Sequence, residues 1–466
     1  PLSIATMRRR GLMTEVRTAD LRFTRAEAAA FLTGMLNIPM DDATVELLDE
    51  KTEGWAAGLR LVGLYLRDRD DIGKSVQDLS GSSRYIAEYL MVEVLSLQLP
   101  EMTDYFIGAA ILNRFCAPVL EAMHLKGAGA EKKPAAITAE QFIRWAIEAN
   151  LFIVALDGQG RWFRLHHFFQ DFLKSLLRKR RTADQIAGLH RKASEWFAEN
   201  GLIEEAIRHA LVAEDNEVAV RLVVEHRYDL MNNARYHILN NWLELLPREI
   251  VNEAPLLVTT KAITAWVNGQ RDDVEKFTEQ AKRLVDTLSP ESSEYSILQG
   301  EIITLHNLIG ALYNRPAKSW IDPIKALELL PKEALFFRIL AIAEMAFRHQ
   351  MKGDLNQGVK LLKEELKTAD LPVSIQARGW FYLCVVSYLD CNTSGTLLSG
   401  LNSIKLAEKH RLAHTRGLAK YFVGASYYLR NELTKAKHYI KGSIDDRAFT
   451  NSIYVTQACG ILGFIY

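Results

Sequence analysis

Two adjacent histidines, His166 and His167, stand where the alternating stretch RWFRLH gives way to the amphipathic stretch HFFQDFLKSLLRKR. Paired imidazoles suit a metal site, a proton shuttle or a phosphate contact, and each of these roles needs different partners. A histidine at the end of a strand is more commonly an ordinary packing residue. The rest of the chain must therefore show which role applies.

The usual catalytic patterns are absent from the sequence. No G-x-x-x-x-G-K-[ST] phosphate loop occurs, because Asp68 takes the place of the first glycine before Gly73-Lys74-Ser75. H-E-x-x-H, the EF-hand loop and G-x-S-x-G are missing too. A histidine-centred enzyme is the least favoured reading, since no acid, base or metal partner with usable spacing accompanies His166. We predict that this chain is not an enzyme and has no catalytic residues.

A second histidine pair, His410 and His414, lies four residues apart in a predicted helix. This spacing could offer two imidazoles to a metal ion. No acidic side chain or third histidine at a suitable spacing completes the set, so a solvated helix face is the better interpretation. We predict no metal site.

Composition and charge exclude several classes of protein. The 57 lysines and arginines balance 57 aspartates and glutamates over 466 residues, so the whole molecule does not attract nucleic acid or anionic membranes. The four cysteines are scattered, and no apolar run reaches the roughly 18 residues of a membrane span. We expect a cytoplasmic protein without a membrane contact. The start at Pro1 and the end in ACGILGFIY lead us to expect a piece of a longer chain.

The first 180 residues combine helices with one hairpin. Thr24 and Glu27 form a predicted capping box, and two helices are expected to divide near Glu53 and Gly54. Residues 67–83 are predicted to be a linker. FIVALDGQGRWFRLH predicts a hairpin that turns at residues 157–160, with a helix after it. Helices followed by such a wing indicate a winged-helix domain.

From about Thr182 the pattern is helical throughout, and turn-forming residues recur in it. The later ones lie roughly 38 to 46 residues apart, which is close to the period of helical-hairpin repeats. Such repeats stack into a superhelix with a concave binding surface. We therefore predict a mainly α fold that ends in a tetratricopeptide-like superhelix. The predicted turn residues are Gly201, Gly269, Arg315, Gly353, Cys391 and Asn431.

Several stretches resemble one family of nucleotide-switch proteins. FRLHHFFQDFL resembles the MHD-type motif of the STAND class, and EGWAAGLRLVGLYL resembles a helix of the large ATP-dependent LuxR-type regulators, the MalT-like family. IATMRRRGLMTEVRTADLRFTRAEAAAFL is similar to the segment after their ATPase core, and LHRKASEWFAENGLIEEAIRHALVAED to the first repeat of their sensor. The resemblance follows the entire chain in the family's order.

This resemblance implies domains and a ligand. Residues 1–83 would end the NTPase module and form its helical lid, 84–181 the winged-helix domain, and 182–466 a truncated sensor superhelix. The P-loop core and the C-terminal helix-turn-helix would lie outside this chain. His166 would contact a phosphate of ADP, with ATP or ADP bound by the longer parent and not tightly by this chain.

Some positions depart from the family pattern or have ordinary explanations. Many relatives carry proline where this sequence has Ala56, so we expect no adenine contact there and predict that Trp55 is a core residue. Residues 8–10 are three arginines that could meet nucleotide phosphates, whereas residues 178–181 are predicted to be a solvated basic helix end. The wing tip DGQG carries no cation, which argues against DNA binding by the wing.

The function that follows is the regulatory and sensor part of a bacterial ATP-dependent transcriptional activator. Its superhelix would bind a small-molecule inducer or a regulatory protein, the parent would self-associate, and DNA would be bound only by the missing C-terminal domain. The alternative is an interaction scaffold without nucleotide switching. No effector residue is assigned, because the aromatic clusters are predicted to be inter-repeat packing. These clusters are Trp380, Phe381, Tyr382, Tyr421, Phe422, Tyr427 and Tyr428.

Overall fold

The computed structural model describes residues 21–36, 40–67, 71–80, 83–124, 137–149, 151–312, 321–368, 370–446 and 452–466. The chain divides into two compact units, residues 1–214 and 215–466. The arginines at 8–10 and at 315 lie outside the described residues. The predicted domain limits at 83 and 181 stay predictions, since the structure divides the chain by compactness alone.

Unit 1 consists of eleven described helices and one two-stranded sheet. A π-helical turn, Leu90–Val94, and a 3-10 turn, Leu95–Leu97, follow its fifth helix. The helices and strands are α1 (Arg25–Leu36), α2 (Asp42–Thr52), α3 (Ala56–Leu66), α4 (Ile72–Gln77), α5 (Arg84–Tyr89), α6 (Pro100–Ala109), α7 (Ala117–His124), α8 (Ala139–Glu148), β1 (Ile153–Ala155), β2 (Phe163–Leu165), α9 (His167–Arg180), α10 (Ala183–Glu199) and α11 (Ile203–Val212).

Local signals placed most of these elements correctly. The capping box before α1 is present, with the Thr24 amide donating to Glu27 at 2.8 Å and the Glu27 amide donating to the Thr24 hydroxyl at 3.3 Å. Helices α2 and α3 divide at Glu53 and Gly54, both with positive φ. The sequence-based prediction is confirmed at these positions because each signal acts within one turn of chain.

The predicted linker at residues 67–83 is wrong in its middle, where α4 forms. The Asp71 side chain caps this helix by accepting a hydrogen bond from the Lys74 amide at 3.0 Å. Val76 is completely buried. The Lys51 ammonium group also donates to the Gln77 and Leu79 carbonyls at 2.7 and 2.6 Å. The cap at Asp71, the burial of Val76 and the hydrogen bonds from Lys51 stabilise a helix here, although the polar composition of the segment suggested a linker.

The winged-helix core is built from aromatic side chains behind the hairpin. Strands β1 and β2 are antiparallel, with Ile153 opposite Leu165, and a bridge pairs Phe115 with Phe163. The Phe106 ring centroid lies 4.8 Å from that of Phe142 and 5.1 Å from that of Phe169, all fully buried or nearly so. This core fixes β2 and the start of α9, where the two histidines lie.

Unit 2 is helical in all its described elements. Successive helices pair as antiparallel hairpins, and the first helices α15, α17, α19, α21, α23 and α25 contact one another in sequence order. The helices are α12 (Asn216–Asn232), α13 (Tyr236–Leu245), α14 (Arg248–Glu253), α15 (Pro255–Val267), α16 (Arg271–Val285), α17 (Ser293–Leu312), α18 (Pro323–Leu329), α19 (Leu335–Met351), α20 (Leu355–Glu365), α21 (Val373–Leu389), α22 (Thr393–Lys409), α23 (Ala413–Leu429), α24 (Leu433–Asp445) and α25 (Ser452–Ile465).

The predicted turns between repeats contain residues with a left-handed backbone conformation. Each of these residues follows the end of a helix. The φ angles are 73° at Gly201, 75° at Gly269, 81° at Gly353, 56° at Cys391 and 55° at Asn431. After each one, the next amide bonds the carbonyl five residues earlier, for example Asn392 to Ser387 at 2.9 Å. This is the Schellman closure, and it lets a second helix follow at once. The mainly α fold with stacked hairpins is confirmed.

Candidate functional site

The candidate site forms around the turn between α2 and α3. Glu53 ends α2 with φ 49° and Gly54 follows with φ 70°. The Phe23 amide donates to the Gly54 carbonyl at 2.9 Å, and a Cβ on Gly54 would come 2.5 Å from the Phe23 carbonyl oxygen. Glycine is therefore required there on two counts, its φ angle and this close approach. The tight turn directs the Glu53 side chain toward the winged-helix hairpin.

Glu53 forms a bidentate ion pair with Arg164 of strand β2. Both guanidinium–carboxylate distances are 2.8 Å, and the Glu53 side chain is only 10% exposed. The backbone amide of His167, the first residue of α9, donates to the same carboxylate at 3.4 Å. The Glu53 carboxylate thus occupies the anion position at the N-terminus of α9.

The surroundings of Glu53 keep its carboxylate ionised. Burial acts against the charge, but the two hydrogen bonds from Arg164 outweigh it. Together with the coulombic effect of Arg164 and the His167 amide, they lower the pKa of Glu53 to about 2. This turn therefore carries a fixed negative charge at any physiological pH.

His166 lies inside the junction, with only 5% of its surface exposed. Its Nε2 donates to the Thr52 carbonyl at 2.9 Å, because a carbonyl can only accept, and its Nδ1 is buried without a partner. The ring contacts Trp55 and Phe152 edge-on, at centroid distances of 5.9 and 6.1 Å. Burial lowers the pKa of His166 more strongly than the Glu53 carboxylate raises it, so the neutral ring is favoured.

The exposed nitrogen-bearing side chains of the site are those of His167 and Arg22. The His167 side chain is 54% exposed, with Nε2 3.8 Å from the Glu53 carboxylate, and the Arg22 side chain is 39% exposed, with Nη1 3.9 Å from it. The prediction placed the phosphate contact on His166, which is buried instead. The role of His166 toward ADP stays a prediction. A phosphate that approaches from solvent meets His167 and Arg22 first.

Trp55 has the packing role predicted for it. Its indole contacts the rings of Tyr89, Phe152 and His166 at centroid distances of 5.9, 5.0 and 5.9 Å. A Cβ on Gly58 would overlap the indole, so the ring lies back over the first turn of α3 only because residue 58 is glycine. Ala56, for which we expected no adenine contact, is exposed at the start of α3.

The predicted solvated face for the second histidine pair is wrong for His414. His410 is exposed at the end of α22, whereas His414 lies in α23 and is only 8% exposed. The two imidazoles therefore do not share a helix face. Among the described residues, no group of three or more candidate ligands could hold a metal ion. The basic helix end at 178–181 is exposed, as predicted.

Sequence reasoning missed the Glu53–Arg164 ion pair beside His166, and also a second imidazole contact. His190 of α10 and His209 of α11 bring their Nδ1 atoms within 2.8 Å of each other, both buried. Their spacing of 19 residues gives no metal or catalytic pattern. The signal for Glu53 and Arg164 was equally weak, because a carboxylate at a helix end and an arginine on a strand are ordinary surface residues. No described helix is long and apolar enough to cross a bilayer.

Comparisons with known proteins agree with this architecture. The family model described as the MalT winged helix domain matches residues 91–185. The serine/threonine-protein kinase PknK of Mycobacterium tuberculosis is 34% identical over 257 residues, which cover 55% of this chain and 22% of the kinase. The transcriptional regulator MalT of Serratia proteamaculans is 26% identical over 366 residues, covering 78% of this chain and 39% of MalT. The chain thus spans well under half of either relative.

A solved structure shows the same fold. It is a STAND protein with a tetratricopeptide repeat sensor from Pyrococcus horikoshii, with a TM-score of 0.51, 12% identity, and coverage of 91% of this chain and 60% of that one. At this identity the likeness concerns the fold alone. The resemblance to MalT-like regulators, first inferred from short stretches, is confirmed by the winged-helix family model and the MalT match.

Proposed function

We propose that this MalT-like chain is the regulatory and sensor part of a bacterial ATP-dependent transcriptional regulator. Unit 1 would help to hold ADP in the resting state, and unit 2 would bind a small-molecule inducer or a regulatory protein. The chain itself would not be an enzyme. It would act in the cytoplasm, where DNA and ATP are available, and would contact DNA only through a helix-turn-helix elsewhere in the longer protein.

The observation that carries this proposal is the junction at Glu53. One carboxylate links the turn after α2 to strand β2 through Arg164 and to the start of α9 through the His167 amide. His166 adds a third link through the Thr52 carbonyl. In this proposal, a displacement of the α2–α3 turn moves strand β2 and the start of α9 with it. A nucleotide-controlled switch requires such a connection between its parts.

The residues at this junction fit a diphosphate on two conditions. The phosphates must lie beside the Glu53 carboxylate, which already accepts the amide at the start of α9, and His166 must change its hydrogen bonding. ADP, when bound, would supply phosphate oxygens that accept hydrogen bonds. His166 has an unpartnered buried Nδ1, but while Nε2 donates to Thr52 the neutral ring has no proton on Nδ1. To donate to a phosphate, His166 must take up a second proton or release Thr52. His167 and Arg22 can donate as they stand.

The sensor role of unit 2 follows from its stacked hairpins. Repeats of this kind present extended binding surfaces made by successive helices. An inducer would favour an open, self-associating form only if it bound that form with a different free energy from the closed one. In this proposal, ADP favours the closed form.

The test replaces His166 by alanine in a full-length protein that contains this chain. We expect weaker ADP binding, measured by calorimetry, and higher transcription without inducer. His410→Ala, an exposed histidine of unit 2, is the matched control and should change neither quantity. If ADP affinity is the same in His166→Ala and the parent, the assigned phosphate contact is wrong.

The alternative function, a scaffold that grips a peptide or protein, has one supporting feature. A groove of about 500 Å³ opens in unit 2, with apolar side chains from Val220, Val224, Ile250, Leu256 and Ile297 in its wall. Reading the gene on both sides of this chain separates the two functions. A Walker A loop upstream and a helix-turn-helix downstream would support the switch, and the lack of both would support the scaffold.

A further inference from the structure

Arg378, in α21 of unit 2, is a buried cation without a buried anion beside it. Its residue is 3% exposed, and among the described residues no carboxylate oxygen lies within 4.0 Å of the guanidinium. Its described polar neighbours are phenols: it makes a 3.4 Å hydrogen bond to the Tyr236 hydroxyl, and its charge also acts on Tyr382. A buried guanidinium stays charged, so this position has one positive charge that the protein does not neutralise.

Arg227, in α12, is a second buried arginine of unit 2, and it forms a structural ion pair. Arg227 is 1% exposed and donates to both oxygens of the fully buried Glu301, at 3.1 and 2.6 Å. It also bonds the Leu256 carbonyl at 3.1 Å. The same fold therefore gives one buried arginine a buried carboxylate and leaves the other with phenol neighbours only.

Two neighbouring aromatic rings lie beside the Arg378 guanidinium. Its central carbon lies 5.2 Å from the Trp266 ring centroid and 4.8 Å from that of Phe336, and the two centroids are 6.0 Å apart. The rings therefore lie on one side of the guanidinium, where they make cation–π contacts, and its N–H edge is the part that can bind an anion. That edge binds planar anions with two parallel hydrogen bonds.

Two further polar groups near Arg378 lack partners. The Tyr382 hydroxyl, one helical turn along α21, and Nδ1 of His414 are buried without a hydrogen bond. The His414 ring lies 5.2 Å from the Trp266 ring. Burial and the Arg378 charge lower the pKa of His414 to about 3, so this ring adds no charge to the cluster.

Burial acts against ionisation of Glu344, a carboxyl group whose charge would act on Tyr382. Glu344, in α19, is fully buried, and its Oε1 has no partner. Burial raises the pKa of Glu344 well above its usual value, despite the hydrogen bond from Asn307. Burial therefore favours a cluster in which Arg378 carries the charge.

We propose that Arg378, Tyr382 and His414 form a binding site for the carboxylate of a small monoanionic molecule, with Trp266 and Phe336 against its apolar part. The inference rests on the proposed sensor role of unit 2 and names the chemical class of its effector. A single unneutralised charge fits a carboxylate better than a phosphate dianion. Tyr236, Trp266 and His414 are each 8% exposed.

The first experiment measures the melting temperature of the 466-residue chain with added anions at constant ionic strength. Benzoate, at about 10 mM, should raise the melting temperature by a few degrees in a saturable way, since a ligand of the folded state stabilises it. Neutral benzamide and inorganic phosphate should produce smaller shifts. Equal shifts with benzoate and benzamide, or a larger shift with phosphate, would overturn the carboxylate assignment.

Variants of the chain test whether Arg378 is responsible for the benzoate-induced rise in melting temperature. Arg378→Met should fold with an unchanged or higher melting temperature, because an unpaired buried charge is removed, and should lose the benzoate shift. Arg378→Lys and Tyr382→Phe should need about tenfold more benzoate for half the effect. Arg430→Met removes an exposed arginine at the end of α23 and should respond like the parent.

Two outcomes would contradict the site itself. A full benzoate shift in Arg378→Met would place the binding elsewhere, and a strongly destabilised Arg378→Met that still folds would make the arginine structural. If a neutral metabolite stabilises the chain while no carboxylate does, the sensor role stands and this inference fails. If no metabolite of any charge binds, the sensor role fails first.

Discussion

Glu53 and Arg164, 111 residues apart in the sequence, meet in a bidentate ion pair with both distances at 2.8 Å. Their side chains are 10% and 25% exposed, so water screens the pair only in part. The pair joins the end of a helix to the second strand of the hairpin. The ion pair therefore attaches the α2–α3 turn to the winged-helix core.

Arg164→Met should destabilise unit 1 by about 3 kcal/mol at pH 7, because a carboxylate that is only 10% exposed loses both charged hydrogen bonds. Urea unfolding followed by circular dichroism measures this loss. The pKa of Glu53 is lowered to about 2, so its contribution is fully present above the unfolded pKa near 4.5 and is lost as pH falls toward 2. The difference between the variant and the parent should shrink over that range.

Arg161→Met is the control for this effect, since Arg161 is exposed at the wing. It should change the free energy of unfolding by less than about 0.5 kcal/mol. An Arg164→Met chain as stable as this control would show that the ion pair contributes nothing to the junction.

Gly58→Ala tests how the indole of Trp55 is held. The added Cβ would overlap the Trp55 ring, which packs against Phe152 and His166. We expect a loss of about 1–3 kcal/mol in stability and a shifted tryptophan emission. Gly34→Ala, in helix α1, meets no atom within 4 Å and should instead stabilise by up to about 1 kcal/mol. Equal gains in both variants would mean that the indole moves without cost.

Arg227→Met tests the buried ion pair of unit 2. It leaves the Glu301 carboxylate fully buried with only hydroxyl donors, including Tyr228 at 2.5 Å, and should cost about 3–5 kcal/mol in urea unfolding. The double variant Arg227→Met, Glu301→Met should recover most of this loss, because no charge then remains buried.

The exposed pair of Arg221 and Glu225, at 3.8 Å, provides the comparison for the buried one. Arg221→Met should cost less than about 1 kcal/mol, since solvent screens an exposed pair. If the double variant of the buried pair is no more stable than Arg227→Met alone, the pair stabilises through packing and not through charge compensation.

The parts of the fold that sequence predicted are those encoded within one or two turns of chain. The hairpin turn at residues 157–160, the capping box at Thr24 and the left-handed positions at Gly353 and Cys391 all depend on local conformational preference. The helix inside the predicted linker was missed because Lys51 stabilises it from outside the segment.

The candidate site depended on contacts that no local pattern carries. His166 was found through a resemblance, but its burial depends on Trp55 and Phe152, which come from other elements. The predicted exposure of His414 was wrong for a related reason. Its helix is apolar on most sides, so periodicity does not say which face the neighbouring helices cover.

The His190–His209 contact predicts a loss of stability in mild acid. With their Nδ1 atoms 2.8 Å apart, one ring must donate and the other accept, so the pair requires at least one neutral ring. Burial, with a smaller effect of Lys174, lowers the pKa of His190 to about 4. Burial, with a smaller effect of His190, lowers that of His209 to about 3.

The unfolded chain binds these protons near pH 6.5, whereas the folded chain resists them to about pH 4. Stability from this pair is therefore fully present above pH 6.5 and falls as pH drops, by up to about 1.4 kcal/mol per pH unit for each ring. His209→Gln removes one titrating ring and should reduce the slope of unfolding free energy between pH 6.5 and 5 by about 1 kcal/mol per unit. The exposed His410→Gln should keep the parent slope. If His209→Gln keeps it too, His209 takes up no proton when the chain unfolds.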